Sequence, residues 1–328
     1  MKLSFIAVGT NRLDYLKCLL WNIFYYQDLD QSLFEVIVVN DGGMDILEYL
    51  KNNYSDKNLK YIYLNHKLRR GIPNTNTSRA IPVNRGISCA EGEIIVISDW
   101  EMYLLESNHL STFYNSIGSK QIMSAMPIHT RKEIDLRFYM ENYKNPILFE
   151  DYLKKHYTSN ADLWCFPTNV PDTVPEKIDP YGQKYATIDG TIHWLYRCSG
   201  YWAQLRKDFI SIGGCEERAW GLAGDDCELS YRLDYAGFSY IPSHLHMVHN
   251  YHGRGEDARG TGNGSDTPDL HDPRYIKYEE LKNEFPKEKL WKMFDNRLPP
   301  KEVSWNSKLY MNGTKEDDIF IDFQTQKI

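Results

Sequence analysis

The stretch Ile94 to Tyr103, IIVISDWEMY, is an apolar run that stops abruptly at two carboxylates, Asp99 and Glu101. An uncharged, largely β-branched run reads as a strand buried on both faces, as at the centre of a parallel sheet. The acids then stand at the carboxyl end of the strand. Open α/β sheets bind ligands in the crevice there, so the pair suggests a metal or a cationic ligand. Taken alone, acid-x-acid after a strand is often only a turn with a helix cap.

Upstream, the same grammar repeats. Leu3 to Val8 reads as a strand, followed by the loop GTNR and a helical pattern from Leu13 to Tyr26. Phe34 to Val39 is a second buried strand ending in Asn40, Asp41, Gly42 and Gly43; Met44 to Asn52 suits a helix and Leu59 to Leu64 a third strand. Residues 78 to 91 suit a helix leading into the strand at Ile94, with helix 106 to 117 and strand 121 to 127 beyond. Strands separated by helices of this length imply βαβ units with right-handed crossovers. The expected class is therefore α/β: a mostly parallel, Rossmann-like central sheet flanked by helices. No GxGxxG follows the first strand and no GxxxxGK[ST] occurs anywhere, so phosphates must be handled differently. A divalent cation on the carboxylates after the fourth strand would bridge phosphate oxygens and neutralise them.

Composition narrows the class further. The 328 residues are 42% hydrophobic and 25% charged, as in ordinary globular proteins. A formal net charge of -7 argues against a nucleic-acid binder held by bulk electrostatics, and Arg69 with Arg70 is too small a patch to reverse that. The N-terminus runs directly into a strand pattern without a signal-peptide or membrane-spanning signature, so a cytoplasmic chain is expected. Cys18, Cys89, Cys165, Cys198, Cys215 and Cys227 form no CxxC pair and read as free thiols.

Residues 131 to 190 read as irregular, rich in aromatics and prolines. They are either surface excursions or an acceptor-binding region, with Trp164, Trp194 and Tyr201 as candidates for stacking on sugar rings. A second acidic cluster follows in GGCEERAWGLAGDDCELSYRL. There Asp225, Asp226 and Glu228 open a helical pattern that runs through Leu233. Acids in a first helical turn can serve as caps, but Asp225 and Asp226 also follow a loop of small residues that a ligand can approach, where a carboxylate can act as general base. A strand, Phe238 to Ile241, precedes His244, His246, His249 and His252; at most one or two of these need be metal ligands. The glycine-rich stretch after them reads as a closing lid or a plain connector. From Asp272 the chain shows helical patterns and then a strand pattern in EDDIFIDFQTQ.

Together, GTNR, VVNDGG, NRGISCAEGEIIVISDWE, GGCEERAWGLAGDDCELSYRL and a downstream histidine resemble, in order and spacing, the GT-A glycosyltransferases of the family 2 type. The later segment is similar to the WGxGGEDxD motif of β-1,4-galactosyltransferases. The resemblance implies a GT-A sheet with a C-terminal helical extension. It divides the chain into a nucleotide-sugar half (1–127), an insertion (128–199), a catalytic and acceptor half (200–271, with a flexible loop at 253–271) and an extension (272–328).

Residue by residue, the resemblance implies that Asp41 contacts the donor base, with Thr10 and Arg12 on the neighbouring loop. Asp99 and Glu101 take the two acidic positions of the DxD motif around Trp100, and Arg79 faces the donor diphosphate. Asp226 is implied as the base, Asp225 as an acceptor contact, and His249 or His252 as the histidine ligand of Mn²⁺ or Mg²⁺. Glu101 and Asn40 depart from the family pattern, Glu101 standing where the second Asp is usual and Asn40 where an acid is common. The implied activity is transfer of a sugar, inverting at the anomeric carbon, from a UDP-hexose or UDP-HexNAc to a hydroxyl of a glycan, lipid-linked or protein acceptor. Peripheral membrane association and a homo-oligomer stay open. Rival readings are a sugar-phosphate nucleotidyltransferase, whose phosphate loop GTNR does not match, a metal-dependent hydrolase, and a non-catalytic carbohydrate-binding protein.

Overall fold

The structure, a computed structural model, describes residues 2–64, 79–129, 133–156, 176–178, 184–188, 191–192, 200–215, 229, 233, 236–250 and 319–324. In chain order the elements are β1 (Leu3–Gly9), α1 (Leu13–Trp21), β2 (Phe34–Asn40), α2 (Leu47–Tyr54), β3 (Leu59–Tyr63), α3 (Ala80–Ser88), β4 (Ile94–Asp99), β5 (Met102–Leu104), α4 (His109–Ser116) and β6 (Gln121–His129). They continue with α5 (Glu133–Asn142), α6 (Pro146–His156), β7 (Glu176–Ile178), β8 (Lys184–Ile188), β9 (Thr191–Ile192), β10 (Tyr201–Leu205), α7 (Arg206–Ser211), β11 (Ser239–His249) and β12 (Ile319–Asp322).

Among the described residues, nine strands form one sheet in the order β12-β3-β2-β1-β4-β10-β6-β11-β5, and β7, β8 and β9 form a second, small sheet. In the large sheet β1, β2, β3, β4, β6 and β11 run one way, with β5, β10 and β12 opposed. The sheet is thus mostly parallel, as expected, and strands from both halves of the sequence share it.

The uncharged strand runs follow from burial on both faces. Leu3, Phe5, Ala7, Val36, Val38, Ile94 and Val96 cluster with Leu16, Leu19 and Leu20 of α1. The alternate residues Ile6, Val8, Ile37, Val39, Ile95 and Ile97 cluster instead with Val83 and Ile87 of α3. Period-two alternation therefore divides each strand between two apolar layers, so a charge within a strand is tolerated only where it is paired. At the opposite end of the strands, buried Glu35 closes on Lys60 at 2.8 Å and accepts from Ser4 Oγ at 2.6 Å, so the two charges buried there compensate each other.

Three readings change. The segment expected to be irregular carries α5 and α6, whose Tyr139, Phe149 and Leu153 pack on Tyr15, Tyr103 and Val248. Phe149 and Leu153 stand four residues apart behind an Asn145-Pro146 helix start, a short helical signal masked by the surrounding aromatics. The strand before the histidines does not stop at Ile241: β11 runs on to His249, with an irregularity between Pro242 and His246. Finally, β10 inserts antiparallel between β4 and β6, a pairing fixed by distant segments that its own five residues do not announce. Tyr201, a candidate for sugar stacking, is fully buried in it against Phe5 and Phe113.

The strand expected in EDDIFIDFQTQ is β12, which pairs with β3 at the sheet edge. The helical part of the C-terminal extension and the 253–271 loop lie outside the described residues, as do Trp164 and Trp194. No helix among the described residues is long and apolar enough to cross a membrane.

Candidate active site

Parallel pairing sets the frame of the site. Gly9 lies beside Asn40 and Val8 beside Asp99, so the chain leaves β1, β2 and β4 at one edge of the sheet. Neighbouring strands are about 4.8 Å apart, which puts GTNR, NDGG and DWE around one crevice. Backbone bonds fix the exits: Asp41 N–H donates to Gly9 O at 2.8 Å, Trp100 N–H to Val8 O at 3.1 Å, and Asp99 N–H to Gly200 O at 2.9 Å.

The first two loops are laced together. Thr10 Oγ1 donates to Gly42 O at 2.7 Å, and Asn11 Oδ1 accepts the Met44 N–H at 3.0 Å. Asn11 holds φ 53°, the left-handed region that Asn tolerates better than most residues. Gly43, at φ 85°, lies against Asn11 so closely that a Cβ would fall 2.1 Å from Asn11 Oδ1. Buried Asn40 turns inward and donates to Met44 O at 2.9 Å and to Tyr61 Oη at 3.1 Å. The amide standing where an acid is usual therefore braces this loop. Asp41, beside it, is buried at the crevice floor.

Trp100, expected among the donor-contacting residues, is instead fully buried and donates Nε1–H to Ala7 O at 3.2 Å. Its ring occupies the space over Gly9 and supports the crevice from below. Glu101 follows on the same turn, and the residue after β11 grips it twice: Asn250 donates both its N–H (3.1 Å) and its Nδ2–H (3.0 Å) to Glu101 O. That clamp carries His249 to the site, with Nε2 3.7 Å from Glu101 Oε1.

Each acid of the pair holds an arginine. Arg79 Nε donates to Asp99 Oδ1 at 2.6 Å, and Arg12 Nη1 to Glu101 Oε1 at 2.6 Å. Burial pushes the Asp99 carboxyl up to about 6; Arg79 opposes that shift and neighbouring Glu101 adds to it. For Arg12, burial works against the charge, but the charge and hydrogen bond of Glu101 outweigh it and raise its pKa. Gly200, at φ 69°, packs against Asp99, and a Cβ there would sit 3.2 Å from Asp99 Oδ2 and 2.3 Å from Met102 Cε.

Two carboxylates and an imidazole are a donor set that suits Mn²⁺ or Mg²⁺. They are not gathered around one point: among the described residues no group of three or more His, Cys, Asp or Glu side chains is arranged to hold a metal ion. The donor chemistry fits a cation, and an arginine holds one oxygen of each carboxylate.

Of the residues expected at the site, Thr10, Arg12, Asp41, Arg79, Asp99, Glu101 and His249 meet at this edge. Asp225, Asp226 and His252 lie outside the described residues. The flanks of the acidic segment are described: Cys215 and Leu229 are buried in the cluster that contains Val83 and Ile87 of α3, the helix that Arg79 precedes. His246 turns away to a second network. Glu106 accepts from the His246 N–H at 2.8 Å and lies 2.8 Å from its Nδ1 and 2.9 Å from His109 Nε2. Asn250, Asn11 and Glu106 were not singled out from sequence, because each acts on a partner fixed only by folding.

By sequence, the chain matches no known protein family and no curated protein. By structure it is similar to residues 1–349 of TarS from S. aureus in complex with UDP-GlcNAc, with a TM-score of 0.52, 17% identity, and coverage of 88% of this chain and 69% of that one. The chain has the GT-A fold. GalNAc-T7 with UDP, GalNAc and Mn²⁺ scores 0.49 at 13% identity, covering 76% of this chain and 44% of that one. Mannosyltransferase PcManGT from Pyrobaculum calidifontis in complex with GDP-Man and Mn²⁺ scores 0.47 at 16% identity, covering 95% and 72%. The chain spans only 60% of TarS 1–349 in another crystal structure and 41% of a longer TarS chain. In the GT-A fold the carboxyl edge described above is the crevice side of the sheet.

Proposed function

We propose that this chain is a metal-dependent glycosyltransferase that moves a sugar, with inversion, from a nucleotide-diphosphate donor to a hydroxyl acceptor. The observation that carries the reading is the convergence of Asp41, Asp99 and Glu101 with Arg12 and Arg79 at one sheet edge, acids and cations matched to a base, a diphosphate and a cation. The UDP-GlcNAc held by TarS supports a UDP-hexose or UDP-HexNAc donor.

Thr10, Asp41 and the laced loops would seat the nucleoside, and Arg12 and Arg79 would orient the diphosphate through charge-assisted hydrogen bonds. Asp99, Glu101 and His249 would hold the divalent cation, which when bound neutralises the charge that builds on the leaving diphosphate. Asp226 would take the proton of the acceptor hydroxyl as its oxygen attacks the anomeric carbon on the face opposite the leaving group, with Asp225 orienting the acceptor. The carbon–oxygen bond to the acceptor forms as the bond to the diphosphate breaks. Support for bringing Asp226 to this edge comes from its flanks, since Cys215 and Leu229 both anchor in the α3 layer.

A thermal-shift panel of nucleotide sugars with and without Mn²⁺ tests the reading. A cognate donor at about a hundredfold excess over its Kd adds roughly 2.7 kcal/mol of stability by mass action. Stabilisation by one nucleotide class, dependent on metal, is the expected result; no stabilisation by any member of the panel overturns it.

A further inference from the structure

We infer that Arg79 and Arg12 are exchangeable counter-ions of the donor site: in the free protein they neutralise Asp99 and Glu101, and on donor binding they pass to the diphosphate as a divalent cation replaces them on the carboxylates. The inference rests on the donor-site reading above and adds how that site changes when it fills.

Both ion pairs are short, at 2.6 Å, and each has a partly exposed arginine. The side chains of Asp99 and Arg79 are 20% and 21% exposed and that of Arg12 is 26% exposed, while that of Glu101 is 8% exposed. Arg79 Nη2 is itself buried, so release of this guanidinium takes rearrangement of the side chains around it as well as rotation. Each arginine immediately precedes a helix, Arg12 before α1 and Arg79 before α3, and neither arginine side chain caps its own helix. The positive end of a helix dipole favours an anion nearby, so a phosphate close to either helix start would also lie close to the arginine beside it.

The chemistry favours the swap on both sides. A planar guanidinium matches the paired oxygens of a phosphate, whereas a hard divalent cation prefers carboxylate oxygen. Until both newcomers arrive, the arginines spare the partly buried acids an uncompensated charge. Cation and nucleotide should therefore bind cooperatively, because each accepts the partner that the other releases.

Three measurements on the full chain test this. Calorimetry with Mn²⁺ alone should show roughly three- to tenfold tighter binding to Arg79→Gln than to the wild type, the scale of a part-exposed ion pair. With Mn²⁺ saturating, UDP should bind the same variant about tenfold more weakly, having lost a charged hydrogen bond. Arginine side-chain NMR then separates contact exchange from a diffuse charge effect. The Arg79 Nε–H signal, assigned with Arg79→Lys, should shift on addition of Mg²⁺ and shift again on addition of UDP. Arg12→Gln repeats the calorimetry on the second pair should Arg79→Gln fail to fold. An Arg79 signal unmoved by Mg²⁺ and UDP that both bind, or an unchanged Mn²⁺ affinity in both Gln variants, overturns the exchange while the donor site stands. Absence of UDP binding to the wild type with metal present removes the donor site and the exchange together.

Discussion

The Asn84 side chain and the Cys215 backbone form a closed pair across 131 residues: Nδ2 donates to Cys215 O at 2.9 Å and Oδ1 accepts the Cys215 N–H at 2.9 Å. Only a side-chain amide offers a donor and an acceptor in this arrangement. The pair ties α3, whose preceding residue holds Asp99, to the root of the segment that carries Asp225 and Asp226. Gly214 stands at φ 76°, with no room for a Cβ beside Asn84 Oδ1 at 2.7 Å. Asn84→Ala removes both bonds and should cost about 2–4 kcal/mol, read from urea denaturation. Turnover should fall further than UDP affinity does, and an equal fall in both would assign Asn84 to the donor side instead.

Gly9 and Trp100 are matched in shape. A Cβ on Gly9 would lie 2.4 Å from ring atoms of Trp100, and the ring cannot swing aside as a flexible chain end would. Gly9→Ala should destabilise the chain by about 1–3 kcal/mol or more through overpacking. Trp100→Leu should recover part of that loss in the double variant, and a double-mutant cycle with no coupling would contradict the contact.

The Glu106 network predicts acid sensitivity with a defined sign. Burial raises the Glu106 carboxyl, but hydrogen bonds from His109 and His246 outweigh it and hold it at about 2, below the ordinary 4.5. Burial depresses His109 below its ordinary 6.5. For both groups the unfolded chain binds the proton more readily, so stability falls on acidification: below about 6.5 for His109, and between 4.5 and 2 for Glu106. Glu106 is 32% exposed, so its share is discounted to about 1–2 kcal/mol. Melting curves across this pH range should show Glu106→Gln less stable at neutral pH and flatter below 4.5. A variant with the slope of the wild type would exclude Glu106 as the source.

Asp226→Asn should lower turnover by about 10²- to 10⁴-fold, the usual contribution of a general base, with UDP affinity in Mn²⁺ nearly intact. Donor-release assays paired with calorimetry read the two effects separately. Turnover at the wild-type level would remove Asp226 from the mechanism.

The legible part of this chain was local. The buried runs at Leu3, Phe34, Leu59 and Ile94, with helices between, announced β1 to β4 and their parallel pairing, since strands covered on both faces leave a largely apolar signature. What stayed hidden depended on distant partners. β10 gave no sign of lying antiparallel between β4 and β6, and Tyr201 read as an exposed aromatic because its cover, Phe5 and Phe113, comes from elsewhere in the chain. The four histidines were indistinguishable by spacing; the register of β11 sends His246 to Glu106 and His249 to Glu101.

The opening pair shows the same division. Sequence alone determined that Asp99 and Glu101 end a buried strand, because apolar periodicity and the abrupt change to acids are properties of consecutive residues. Tertiary structure decided what those acids do: Trp100 between them turns inward over Gly9, Arg79 and Arg12 arrive from the starts of two helices, and Asn250 delivers His249. Such contacts join residues far apart in the chain, and only the packing of the sheet and its helices brings them within hydrogen-bonding reach.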